Sequence, residues 1–152
     1  MITLWEKLIS SLLYIIPWAD AIKYGSEIYY NFPIAKLLIF PALPIIFIQD
    51  SLPFGNLLFF LILFLGVAKN YKLPYFLRFN TMQTLLINLI LIIFNYLNIL
   101  LNQLFGALKI FVTIESIIFI ATLATIIFAF TQCLRGIEPD LPGISNSAKM
   151  QI

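Results

Sequence analysis

The sequence predicts an all-α membrane protein, four transmembrane helices preceded by an N-terminal amphipathic interfacial helical region. Two observations predict it. The 152 residues are 62% hydrophobic and only 11% charged, with mean hydropathy +1.02, where an ordinary soluble domain carries roughly 25% charged residues. The apolar residues also fall in long blocks separated by short polar punctuation, whereas a soluble core interleaves them with charge at helix or strand period.

The interfacial region is residues 1–32. Trp5, Leu8, Ile9, Leu12, Leu13 and Ile16 share one helical stripe, Thr3, Glu6, Lys7, Ser10 and Ser11 lie on the other side, and Pro17 interrupts the pattern. A helix over 4–16 rises only about 20 Å, short of the roughly 30 Å hydrocarbon core, and Glu6 and Lys7 are costly inside it. The expectation is a helix lying in the interface. Residues 18–31, mixing Asp20, Lys23, Gly25 and Glu27 with Trp18, Tyr24, Tyr29 and Tyr30, have headgroup-level composition and extend that surface-lying region.

The transmembrane domain covers 33–135, with spans at about 34–50, 53–69, 81–105 and 109–134. Pro41 and Pro44 bend and shorten the first. The second is the most lipophilic and stops at Lys69-Asn70. For the third, Asn80 reads as the N-cap with Gln83 in the capping-box position, after a loop in which Arg78 snorkels between aromatic anchors. The fourth closes on Arg135 and Gly136, with Pro139 beyond. Residues 136–152 form a polar C-terminal tail.

Four spans put the N-terminus, the loop between spans two and three, and the C-terminus on one side. That side holds Lys7, Lys23, Lys36, Lys69, Lys72, Arg78, Arg135 and Lys149, and the other only Lys109. The positive-inside rule then places both termini on the side of synthesis. The amino terminus has the features of neither a secretory signal nor a transit peptide, so no removable segment is expected.

Within the third span Thr84, Asn88, Asn95, Asn98 and Asn102 fall in a sector of about 80° at 100° per residue. On the fourth, Glu115, Thr122 and Thr125 fall in a similar sector, and the two stripes are expected to face each other. Two accounts of this polar interhelical face stay open: hydrogen-bonding glue between helices, or a water-accessible groove used by a translocating or partner polypeptide. Histidine is absent and there is one cysteine, which excludes a His-based triad, an internal disulfide and a structural zinc site. Glu138 and Asp140, between prolines, read as solvated tail acids. No catalytic, cofactor-binding or metal residue is assigned, no cofactor is expected, and the chain is not expected to be an enzyme. A net charge of +2 with scattered basic residues points away from nucleic acid.

With these segments in hand the chain resembles the Tic twenty-kilodalton family, subunits of the chloroplast inner-envelope protein-import translocon, and their cyanobacterial homologues. The resemblance is carried by Leu-Leu-Tyr-Ile-Ile-Pro-Trp-Ala-Asp-Ala at 12–21, Phe-Pro at 32–33, Gly-Val-Ala-Lys-Asn at 66–70 and Arg-Phe-Asn-Thr-Met-Gln at 78–83. It ends with Leu-Arg-Gly-Ile-Glu-Pro-Asp-Leu-Pro-Gly-Ile-Ser-Asn-Ser-Ala at 134–148. The resemblance singles out a loop motif, Lys69, Asn70, Arg78, Phe79, Asn80 and Gln83, and a C-terminal motif, Arg135, Gly136, Glu138, Pro139 and Pro142. It implies a multi-pass protein of the plastid inner envelope, both termini stromal, or of a cyanobacterial plasma membrane. The partners it implies are other translocon subunits, translocating preproteins, membrane lipids and a second copy of the chain. Its role would be to form or scaffold the preprotein path. The bias toward Ile, Phe, Asn, Lys and Tyr looks like a plastid-encoded member. Two readings of other kinds are a small-solute or ion carrier and a cyanobacterial membrane assembly protein without an import role.

Overall fold

The computed structural model of the chain describes residues 2–106 and 108–152, and among them every regular element is helical. Helix α1 (Leu4–Leu13) opens where the Thr3 hydroxyl donates to the Glu6 carboxylate at 2.6 Å. It stops at Leu13 because Pro17 has no N–H to return to the Leu13 carbonyl. Tyr14, still with right-handed helical dihedrals, leads into α2 (Ile15–Ala21), and a 3-10 turn (Ile22–Gly25) leads into α3 (Ser26–Asn31). The backbone from Leu4 to Asn31 therefore stays helical past Pro17, and a helical path of that length covers roughly 40 Å.

This segment does not have the surroundings of a surface-lying helix. It runs lengthwise beside α6 (Tyr75–Phe105) and α7 (Lys109–Arg135), lying between them, while α6 and α7 meet little along their own lengths. Three contacts fix its direction. Tyr14 reaches Asn80 and Gln83 near the start of α6, the Tyr24 hydroxyl donates to the Leu91 carbonyl at 3.2 Å, and the Ser116 hydroxyl on α7 donates to Glu27 at 3.0 Å. The amphipathic stripe is also inverted relative to a soluble helix. Glu6, Ser10 and Ser11 face the protein, whereas Leu4, Trp5, Leu8, Ile9 and Leu12 face outward. Lipid-facing apolar side chains with a polar protein-facing side are what a hydrocarbon solvent selects, because lipid tails are as apolar as leucine.

Small residues allow the close approach. Ala21 and Ala129 are fully buried, and at Gly25 a β-carbon would come within 2.8 Å of the Phe119 ring. Tyr14, Trp18, Tyr24, Phe119 and Cys133 form the main core with them, and Leu141 of the tail joins it.

At Phe32 the chain turns back, and the Trp18 indole donates to the Leu38 carbonyl at 2.9 Å. A 3-10 helix (Pro33–Ala42) passes into α4 (Leu43–Ser51) just after Pro41. The joint to α5 (Gly55–Leu63) is tight. Phe54 is left-handed at φ 56°, and the Gln49 carbonyl sits where a β-carbon on Gly55 would be. Helix α5 continues as a π-turn (Phe64–Ala68), in which the Lys69 N–H bonds the Phe64 carbonyl five residues back. Among the described residues, three helices are long and apolar enough to cross a membrane: Pro33–Ser51, Tyr75–Phe105 and Lys109–Arg135. Gly55–Ala68 is apolar but shorter.

Helix α7 and its Gly136 terminus, at φ 73°, lie within one residue of the sequence reading. The start of α6 does not. Asn80 is not an N-cap and Gln83 is not at N3, since the helix already begins at Tyr75 after Pro74, so the expected loop around Arg78 is two helical turns with Phe76 to Leu85 all buried. Proline fixes an extended residue at Pro74 from which the helix can begin, and the covering segments bury the polar side chains that a sequence reader assigns to a cap. The tail carries its own helix, α8 (Ile144–Gln151), folded back on the first turns of α6. There Ala148 packs with Phe79, Met82 and Leu85.

Candidate functional site

Two polar centres are built inside this bundle. The first joins four separate stretches of sequence. The Tyr14 hydroxyl lies 2.7 Å from Gln83 Oε1 and 3.0 Å from Asn80 Oδ1, so its single proton is shared between two carbonyl oxygens. The Cys133 thiol of α7 also donates to Asn80 Oδ1, and Asn80 Nδ2 donates back to the Phe76 carbonyl of its own helix. Gln83 Nε2 reaches the tail, donating to the Pro139 carbonyl at 2.9 Å and to Ser145 Oγ at 2.6 Å, while Ser145 Oγ accepts the Leu141 N–H. Tyr14, Asn80, Gln83 and Cys133 are fully buried. Each amide group is used on both its donor and acceptor side, which lets a buried polar network rigidify a structure instead of destabilising it.

Beside it the loop motif forms a basic corner. Arg78 Nε donates to the Ala68 carbonyl that ends the π-turn, Nη2 donates to the Ile152 carbonyl, and the guanidinium lies 4.4 Å from the Tyr71 ring centroid. Lys69 donates to the Gln151 carbonyl. Asn70 bridges the Gly66 carbonyl and the Lys72 N–H, and Phe79 is fully buried, stacked on Tyr75 with Lys149 over its face. Of the C-terminal motif, Gly136 has the Lys7 side chain against it, Arg135 is exposed, Glu138 pairs with Lys149 at 3.7 Å in solvent, and Pro142 packs near Leu86 and Ile90. Lys7, Lys69, Lys72, Arg78, Arg135 and Lys149 therefore gather at one end of the bundle, while Lys109 begins α7 at the other. Lys23 and Lys36 join neither cluster, because the N-terminal segment carries Lys23 along the bundle and Lys36 follows the reversal at Phe32.

The second centre lies midway along the N-terminal segment. Asn56, at the start of α5, donates to Asp20 Oδ1 at 2.9 Å. Two cavities, of about 280 and 300 Å³, share Asp20, Lys23 and Asn56. The first adds Asn95 and Tyr96, and the second adds Gln49 and Asp50. Among the described residues, Asp20 Oδ2, Gln49 Nε2, Thr84 Oγ1 and both amide atoms of Asn88 are buried without a hydrogen-bond partner.

The polar stripes come together at one point: Asn98 Nδ2 donates to the Glu115 carboxylate, and Asn102 donates back to Asn98. Thr84 and Asn88 are buried under the N-terminal segment, Asn95 lines the 280 Å³ cavity, and Thr122 and Thr125 line a small cleft with Ile87 and Leu91, Thr125 bonding its own helix at Ala121. Sequence reasoning missed Tyr14, Asp20, Asn56, Cys133 and Ser145. The available signal was an acid and an amide, Asp20 and Asn56, in otherwise apolar surroundings, since buried polar groups require a partner.

The chain matches the family model described as chloroplast import apparatus Tic20-like over residues 2–148. It is 29% identical over 148 residues to a Tic20 family protein of Synechocystis sp., covering 97% of this chain and 92% of that protein. It is 32% identical over 148 residues to the Arabidopsis thaliana protein TIC 20-v, chloroplastic, covering 97% of this chain and 71% of that one. To TIC 20-II, chloroplastic, of the same plant it is 25% identical over 150 residues, covering 97% and 72%.

Proposed function

The chain belongs to the Tic20-like family of the chloroplast import apparatus, and from that premise we propose that it is a non-enzymatic membrane subunit of the plastid inner-envelope import translocon, forming or scaffolding the preprotein path. The observation that carries the reading is the convergence of the stretches behind the resemblance. Tyr14, Asn80, Gln83, Pro139 and Ser145, dispersed from one end of the sequence to the other, meet in one buried network. A role met by a binding pocket alone does not need the tail locked to the first helix, whereas a subunit that holds its shape among partners does.

In this reading the chain crosses four times, by Leu4–Asn31, by the broken stretch 33–68 whose halves join beside Asp20, by α6 and by α7. Both termini and the 69–74 loop then share the basic end, which the positive-inside rule assigns to the stroma. Packed side chains fill the space between four such crossings, so conduction of a polypeptide requires other subunits or a second copy. The irregular backbone at Leu52–Phe54 supports contact with protein or water, because at bilayer depth such backbone is tolerated only there. The test is site-directed crosslinking of a stalled preprotein in isolated plastids. Adducts to this chain are expected at the import stage, and their absence at every stage sinks the path role while leaving a scaffold, which co-purification with the other subunits then tests.

A further inference from the structure

We propose that the paired cavity at Asp20 is a hydrated site inside the bilayer that accepts one ammonium or guanidinium group from a polypeptide passing the side of the bundle. The inference rests on the import reading for the origin of the guest, and on geometry alone for its chemistry.

Asp20 is nine-tenths buried and lines both cavities; one oxygen accepts from Asn56, and the other is buried with the Asn88 amide as its neighbour. The nearest cation along the chain, Lys23, acts on it through space and makes no contact ion pair with it. Lys23 Nζ lies 5.2 Å from the Tyr24 ring centroid, and the ion pair found among the described residues is Lys149 with Glu138 at the far end of the molecule. Asp50 adds a second carboxylate to the rim, so two acids stand against one ammonium. Gln49, Asn56 and Asn95 supply neutral donors and acceptors around them, and Gln49 Nε2 is itself buried without a partner. Cavities of this size with acids and amides on their lining have room for water, and a carboxylate in hydrocarbon is costly without water or a cation. The gap exists because the chain breaks there: the turn at Leu52–Phe54 ends α4 and starts α5 beside Asp20, leaving the site open between α5 and α6.

The test uses the full chain in lipid nanodiscs, with Asn56→Cys and Asn95→Cys made separately and Ser147→Cys as an exposed control. The parent, whose Cys133 is buried, sets the background. Methanethiosulfonates of matched size, one a trimethylammonium and one a sulfonate, are compared by labelling rate. Relative to the control, the cationic reagent is expected to be favoured about tenfold at positions 56 and 95, and Asp20→Asn, which in the position-95 variant keeps an acceptor for Asn56, is expected to abolish the preference. Protection of both positions, or a preference that survives Asp20→Asn, overturns the site. For the guest, a stalled preprotein carrying a photo-crosslinker beside lysines is compared with one carrying it beside glutamines. Adducts at positions 56 and 95 that need the lysines and Asp20 are expected. Adducts elsewhere on the chain that ignore both overturn the guest while leaving the import reading standing. No adduct anywhere, with the charge-dependent labelling intact, overturns the import reading and the guest together but not the cation site.

Discussion

The hydroxyl of Tyr14 lies 2.7 Å from the side-chain carbonyl of Gln83, and through the same glutamine the first helix is tied to the Pro139 carbonyl and Ser145 of the tail. Gln83→Leu removes both of the amide's donated bonds and the acceptor for Tyr14. Tyr14→Phe removes the hydroxyl shared by Asn80 and Gln83, after which Asn80 Oδ1 keeps the Cys133 thiol and Gln83 Oε1 is left alone. Leaving a buried acceptor unpaired costs about 1–3 kcal/mol. Both variants are therefore expected to lower the unfolding temperature in detergent, Gln83→Leu by more. Only Gln83→Leu is expected to speed limited proteolysis in the 136–143 segment. Equal proteolysis of parent and Gln83→Leu would show that the tail is held by α8 alone.

Gly55 and Gly66 separate backbone from side-chain constraints within one helix. A β-carbon at Gly55 would lie 2.0 Å from the Gln49 carbonyl oxygen, a backbone atom that no rotamer change moves, while at Gly66 it meets nothing. Gly55→Ala is expected to cost about 3 kcal/mol or more, with Gly66→Ala near neutral or mildly stabilising through helix propensity. Thermal stability of the two purified variants side by side checks this.

At Gly25 the obstruction is softer. The nearest atoms are the Tyr29 ring with its hydroxyl and a ring carbon of Phe119, side-chain atoms that can shift. Gly25→Ala is expected to cost about 1–3 kcal/mol, and much of that loss is expected to vanish in a Phe119→Leu background, the coupling expected of residues in contact. Additive losses would mean that the N-terminal segment does not pack on α7 at this point.

Asn98 and Glu115 make a direct bond between the two polar stripes. A double-mutant cycle with Asn98→Ala and Glu115→Ala is expected to give a coupling of about 0.6 kcal/mol, up to about 1.7. Glu115→Gln, which retains an acceptor, is expected to preserve most of it. Zero coupling would place Glu115 in water.

Where one local rule governed, the sequence was readable. Helix α7 ends at Gly136 because a left-handed residue there favours glycine, and Arg135 suits the last turn, so spacing alone located it. Pro41 changes the helix type where its missing N–H requires it. Asn80 and Gln83 misled for the opposite reason: their types and spacing fit a cap, and only the segments packed over α6 turn the same two amides into a clasp. Asp20 misled likewise, because its charge, weighed locally, belongs at a headgroup, and the Asn56 that receives it lies 36 residues away.

Composition and block pattern by themselves determined that this chain is a helical membrane protein, because a hydropathy this high has no other solvent and apolar runs need no knowledge of neighbours. The periodicity of residues 4–16 likewise determined that α1 has two unlike faces. Which face turns inward was decided only by the tertiary structure. Sequence amphipathicity is symmetric under exchange of inside and outside until the solvent around the helix is known, and here α6 and α7 take Glu6, Ser10 and Ser11, leaving Trp5, Leu8 and Ile9 outward.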